Sequence, residues 1–120
     1  MIARIRVEKT LPSLANSRLH WAKKAATVKA QRKAVGLRWV CLTPDRPAVL
    51  KAHTKAVTFI RTSPRFLDDD NLASAFKAVR DEVAKLLGVS DAPGGPVVWK
   101  YEQRKGKPGF EVEFHAEVKL

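Results

Sequence analysis

Asp68-Asp69-Asp70 run consecutively into Asn71, in a chain whose formal charge is +11 from 23 Lys+Arg against 12 Asp+Glu. Adjacent carboxylates repel and raise one another's pKa. A hard divalent cation relieves that repulsion, and Mg²⁺ is typically held by one or two carboxylates together with substrate phosphates. If the segment is extended, Asp68 and Asp70 point to the same side and Asp69 away. A plainer reading is also open: one aspartate caps a following helix and the others are solvated. A further acid, Asp91, lies in the Gly/Pro-rich stretch Ser90–Pro96. Lys77 and Asp81 stand four apart, an ordinary helical pair or a lysine aimed at phosphate and steadied by an acid.

The remainder of the chain is basic, with a sequence pI of about 10.2. That balance implies a polyanionic partner, nucleic acid before lipid, because no basic helix carries a bulky apolar face. Arg18, Lys23, Lys24, Arg65, Arg104, Lys105 and Lys107 are the candidate phosphate contacts, with Arg65, three before Asp68, first among them. Such binding reads shape and charge and weakens steeply with salt. His20 reads as a packed or capping histidine or as a general acid. Trp21 and Trp39 read as core, and Trp99 as part of a strand.

The elements that must position these groups follow from periodicity. Residues 2–8 alternate as a strand, which Pro12 ends. From about Leu19 to Leu42 the period is helical, with Trp21, Ala25, Val28, Val35 and Trp39 on one stripe and lysines and arginines elsewhere. Gly36 weakens that helix by about 1 kcal/mol relative to alanine. Residues 49–62 read as a central strand, since Val57 and Phe59 alternate with Thr58 and Ile60. Leu72, Phe76, Val79, Val83 and Leu86 mark a helix from Leu72 to Leu87, N-capped by Asp70 or Asn71 and stopped by Gly88. Val97–Gln103 and 110–118 are strands joined by a basic turn at 104–109. The order is β-α-β-α-β-β: one compact α+β domain over residues 1–120, with two helices on one face of a mixed sheet.

Cys41 is the only cysteine, so no internal disulfide forms, and its apolar neighbours predict a buried thiol. Arg4 and Arg6 stand where the apolar core of a signal peptide would be, and no apolar run approaches membrane-spanning length. A cytoplasmic protein is expected, with no membrane partner.

The stretch Arg65-Phe66-Leu67-Asp68-Asp69-Asp70-Asn71-Leu72, with Lys77, Asp81, Gly88-Val89 and Asp91, resembles the RusA family of Holliday-junction resolvases, small and mostly phage- or prophage-encoded endodeoxyribonucleases. Their pattern is Arg-x-x-Asp-x-Asp-Asn, a helix bearing Lys-x-x-x-Asp, then Gly and nearby acids. Leu11-Pro12-Ser13 and Asn16-x-Arg18 fall where the family has a Pro-containing turn followed by Asn and Arg. The resemblance implies a RusA-like fold and a homodimer acting on branched DNA. It implies Mg²⁺, or Mn²⁺, held by Asp68, Asp70 and Asp91, which with Lys77 are the catalytic residues, and support from Asn71 and Asp81. Two features depart from it. Ser74 stands where the family lysine falls, three after the Asn, and Lys77 comes six after Asn71. Asp91 stands alone where the family often has two adjacent acids. The expected activity is metal-dependent hydrolysis of phosphodiesters at DNA junctions; a relative that binds branched DNA without cutting it is the alternative.

Overall fold

A computed structural model describes residues 1–12 and 21–118. Ser13, Asn16, Arg18 and His20 lie outside the described residues, as does the start of the expected first helix at Leu19. The element order is β1 (Ala3–Val7), α1 (Trp21–Val40), α2 (Arg46–His53), β2 (Ala56–Thr62), α3 (Asp69–Ala75), α4 (Lys77–Leu87), β3 (Val98–Arg104) and β4 (Gly109–His115). The protein is a single α+β domain built on one mixed sheet, ordered β1-β4-β2-β3. β2 runs parallel to β3 and antiparallel to β4, and β1 runs antiparallel to β4.

One sheet face is apolar. Ile5, Val7, Val57, Phe59, Phe110, Val112 and Phe114 join Val35, Trp39, Leu50, Phe76, Val79 and Val83 of the helices in a single core. Phe59 is the hub of an aromatic cluster, with ring centroids 5.2 Å from Phe76, 5.9 Å from Trp99 and 5.5 Å from Tyr101. Alternation turns the intervening residues to the other face, where Arg4 meets Glu113 at 2.8 Å and Arg6 meets Glu111 at 3.0 Å. β2 is buried along all but its last residue, as expected of a central strand.

Among the described residues four helices form where the periodicity predicts two. Residues 46–53 are helical, so 49–53 are not the start of the expected strand. Pro47 is tolerated in a first turn because the N–H it lacks has no intrahelical acceptor there, and the helix buries Leu50 in the core. The expected helix at 72–87 begins earlier, at Asp69, and divides at Phe76, whose φ of −90° and ψ of 1° leave the α region. The Phe76 N–H is shared between the carbonyls of Leu72 and Ala73, a local tightening of the turn that lets the ring enter the aromatic cluster. Gly88 ends α4 at φ 72°, the left-handed stop expected of it.

α1 packs along only part of its length. Val35 and Trp39 are buried, but Trp21 is 74% exposed and Ala25 is also exposed, so the expected apolar stripe does not hold over the first half of the helix. Cys41, expected to be buried, is exposed just past the end of α1. Among the described residues no helix is long and apolar enough to cross a membrane.

Candidate active site

The acidic segment begins six residues after β2 ends, and two strands hold its approach. Arg61 and Gln103 are register partners on β2 and β3, so their side chains leave the same sheet face side by side. Arg61 Nη1 donates to the Arg65 carbonyl at 2.9 Å, and its Nε donates to the Leu11 carbonyl at 2.8 Å. Burial lowers the Arg61 pKa from its usual value, but so strong a base keeps its proton. The Gln103 amide closes both main-chain groups of Leu67: the Leu67 N–H donates to Oε1 at 2.8 Å, and Nε2 donates to the Leu67 carbonyl at 2.8 Å. The chain is thus fixed one residue before Asp68.

Asp68 is extended and is itself the N-cap residue of α3, while Asp69 and Asp70 occupy its first turn. This differs from both sequence expectations. The cap lies two or three residues earlier than Asp70 or Asn71, and the shared direction of Asp68 and Asp70 along an extended segment does not apply across a helix start. The Asp68 carboxylate makes no capping hydrogen bond. Among the described residues, Asp68, Asp69 and Asp70 are exposed and engage no side-chain hydrogen bond or ion pair. The helix start favours their charge through its aligned N–H groups. Asn71 lies half-buried behind them.

Asp70, Ser74 and Lys77 are spaced by four and three residues and so recur on one side of α3 and the start of α4. Ser74 and Lys77 line a cleft of about 290 Å³ whose other side is formed by Arg80, Asp91 and Tyr101. Arg80 organises that side. It meets the Asp91 carboxylate through Nε at 3.3 Å, the Asp91 carbonyl through Nη2 at 2.7 Å and the Tyr101 hydroxyl through Nη1 at 2.8 Å, and lies 5.7 Å from the centre of the Trp99 ring. Burial lowers the Arg80 pKa, but the Tyr101 hydroxyl and Asp91 outweigh it and the net shift is upward. Lys77, well exposed, pairs with Asp81 at 3.2 Å.

Asp91 is therefore matched to a guanidinium. Among the described residues no three His, Cys, Asp or Glu side chains are grouped to hold a metal ion. The donors nonetheless suit Mg²⁺: Asp68 and Asp70 are hard, unpaired oxygen ligands, and two carboxylates with phosphate oxygens are a sufficient set. Arg80 meets one oxygen of the Asp91 carboxylate, Oδ2.

The expected phosphate contacts divide into groups. Arg65 is exposed on the clamped segment, and Lys105 Nζ lies 5.6 Å from the ring centre of its neighbour Phe66. The basic turn is tied to the same segment, because the Ser63 N–H donates to the Arg104 carbonyl at 3.1 Å and the Gly106 N–H to the Ser63 carbonyl at 3.4 Å. Arg104 also faces Glu102 at 3.8 Å. Lys107 is exposed on that turn. Lys23 and Lys24 are on the first half of α1, and Lys24 shares a second cleft with Lys77.

Sequence reasoning missed Arg61, Arg80, Tyr101 and Gln103. A signal existed for Arg61, a guanidinium within an otherwise apolar and Thr-containing strand. None existed for Arg80, whose partners are 11 and 21 residues away. Comparison with protein-family models, with curated proteins and with solved structures finds no match to this chain.

Proposed function

We propose that the protein is a Mg²⁺-dependent, structure-specific endonuclease that hydrolyses phosphodiesters in branched DNA, as the sequence resemblance to RusA resolvases suggests. The observation that carries this reading is the pair Asp68 and Asp70, unpartnered among the described residues, on a segment clamped at Leu67 and bordered by Arg65 and Lys105. Unpaired carboxylates in a basic setting suit a cation that also meets a polyanion.

Asp68 and Asp70 would hold the metal, joined by Asp91. The bound ion would lower the pKa of a water and neutralise charge building on the phosphate. The chain's own residues do the rest. Arg65 and Lys105 draw the backbone over the acids. Lys77, held by Asp81, presents an ammonium to a phosphate on the same ridge as Ser74. Arg80, once Asp91 turns away, has a guanidinium available to a phosphate oxygen. Two copies related by a two-fold axis would give the paired cuts that a symmetric four-way junction requires.

Incubation with a synthetic four-way junction and Mg²⁺ tests the proposal. Incision is expected, and Asp70→Asn should reduce it by about two orders of magnitude or more, as loss of a metal ligand does. A parent protein that leaves the junction intact, or an Asp70→Asn variant that cuts like the parent, rejects it. The Arg80–Asp91 pair favours one second reading, a domain that binds branched DNA without cutting it. Tight junction binding with no incision in Mg²⁺ or Mn²⁺ would establish that reading instead.

A further inference from the structure

Phe66 is a large apolar side chain left in water. It is 54% exposed, whereas its neighbour Leu67 packs against the core. A single exposed phenylalanine is ordinary on a protein surface and calls for no explanation by itself. What distinguishes this one is the main chain that carries it. The Arg65 carbonyl before it accepts from Arg61 Nη1 at 2.9 Å, and the Gln103 amide closes the N–H and the carbonyl of Leu67 after it, each at 2.8 Å. With the Leu67 side chain also packed inward, no one of these bonds alone sets the position of the ring. The ring is presented at the surface on backbone that is already ordered, so a partner that meets it has little further ordering to impose.

The surroundings of the ring are cationic. Lys105 Nζ lies 5.6 Å from its centre, a cation–π distance, and Arg65 is exposed beside it. Lys107 is exposed on the same turn as Lys105. A purely apolar partner would strip water from these charges without replacing it. A nucleotide suits both features, because its base offers a flat face to the ring and its phosphate an anion to the cations. Within a continuous duplex the base faces cover one another. At a branch they have lost neighbours and are the least costly to unstack.

We propose that Phe66 stacks on a base at the branch point, with Arg65 and Lys105 on the adjoining phosphates, and so sets the preference for branched over continuous DNA. The acids begin two residues further on, at Asp68, so a base seated on Phe66 brings its strand to them. The inference deepens the proposed function: it rests on branched DNA as the partner and not on the metal chemistry.

The test uses the full chain without divalent metal. It is titrated with a four-way junction and with a linear duplex, each carrying 2-aminopurine at the branch or at mid-arm. The parent is expected to prefer the junction and to change the fluorescence of the branch label but not that of the mid-arm label. Phe66→Leu, which keeps an apolar side chain but removes the ring, should weaken junction binding by about tenfold, leave duplex binding unchanged and abolish the fluorescence change. Phe66→Trp should retain all three properties of the parent. Lys105→Ala should weaken junction and duplex alike. An unchanged branch label on the saturated parent overturns the proposal without recourse to any variant, as does a parent with no preference for the junction. So does a Phe66→Leu protein that binds the junction as the parent does, or that loses junction and duplex equally. A loss accompanied by a change in sedimenting mass would assign Phe66 to a contact between copies of the chain and overturns it too. Incision is read separately in Mg²⁺, so a junction bound and cut by a Phe66→Leu protein as by the parent rejects this inference and leaves the nuclease reading standing.

Discussion

Gln103 shows how much of the site depends on one side chain. It satisfies the N–H and the carbonyl of Leu67 together, immediately before the first metal-ligand candidate. Gln103→Leu would leave both main-chain groups to find water or nothing. A loss of about 1–3 kcal/mol is expected, measured by urea unfolding. Incision of a junction should fall at least tenfold while junction affinity stays near that of the parent, since Arg65 and Lys105 keep their charge. Equal losses in binding and incision would show that the clamp serves the fold and not the placement of Asp68. Arg61 does related work from the neighbouring strand, but its burial makes it a harsher site to perturb, and Gln103 is the cleaner probe.

At the scale of the element, Phe76 decides the shape of the helical segment beside the acids. It is fully buried, with ring centroids 5.2 Å from Phe59, 6.1 Å from Tyr101 and 6.0 Å from Phe110. The break between α3 and α4 seats that ring. Phe76→Ala is expected to cost about 3–5 kcal/mol, read from the urea midpoint. That is a large share of the roughly 5–15 kcal/mol available to a domain of this kind, so much of the variant should be unfolded at 37 °C. The helical period of residues 72–87 was legible in the sequence, but the break was not. A phenylalanine on an apolar stripe fits an unbroken helix equally well, and only the aromatic partners on β2, β3 and β4 draw it inward. The same holds for residues 46–53. Residues 49–53 directly precede the alternating stretch at 57–60 and read as part of its strand, whereas Leu50 is buried against the core from a helix.

For the whole molecule, the net charge of +11 leaves exposed lysines and arginines on α1, on the clamped segment and on the 104–108 turn, beside an exposed run of three aspartates. Binding to a four-way junction should therefore weaken linearly in a plot of log affinity against log salt, with a slope of roughly −4 or steeper if five or more phosphates are neutralised. Lys105→Ala should make that slope shallower by about one. An affinity that does not change between low and physiological salt would remove DNA as the partner.

Composition and order along the chain determined the α+β class, the mixed character of the sheet, the stop at Gly88 and the acidic run that carries the chemical reading. These are local matters: period, helix stops and the repulsion of neighbouring carboxylates are all set within a few residues. The tertiary structure decided what lies against what. It paired Asp91 with Arg80, clamped Leu67 with a residue 36 positions away and, among the described residues, left the buried Gln31 amide without a partner. Those outcomes depend on how sheet, helices and loop close on one another, and contacts between distant residues leave no periodic trace in the chain that makes them.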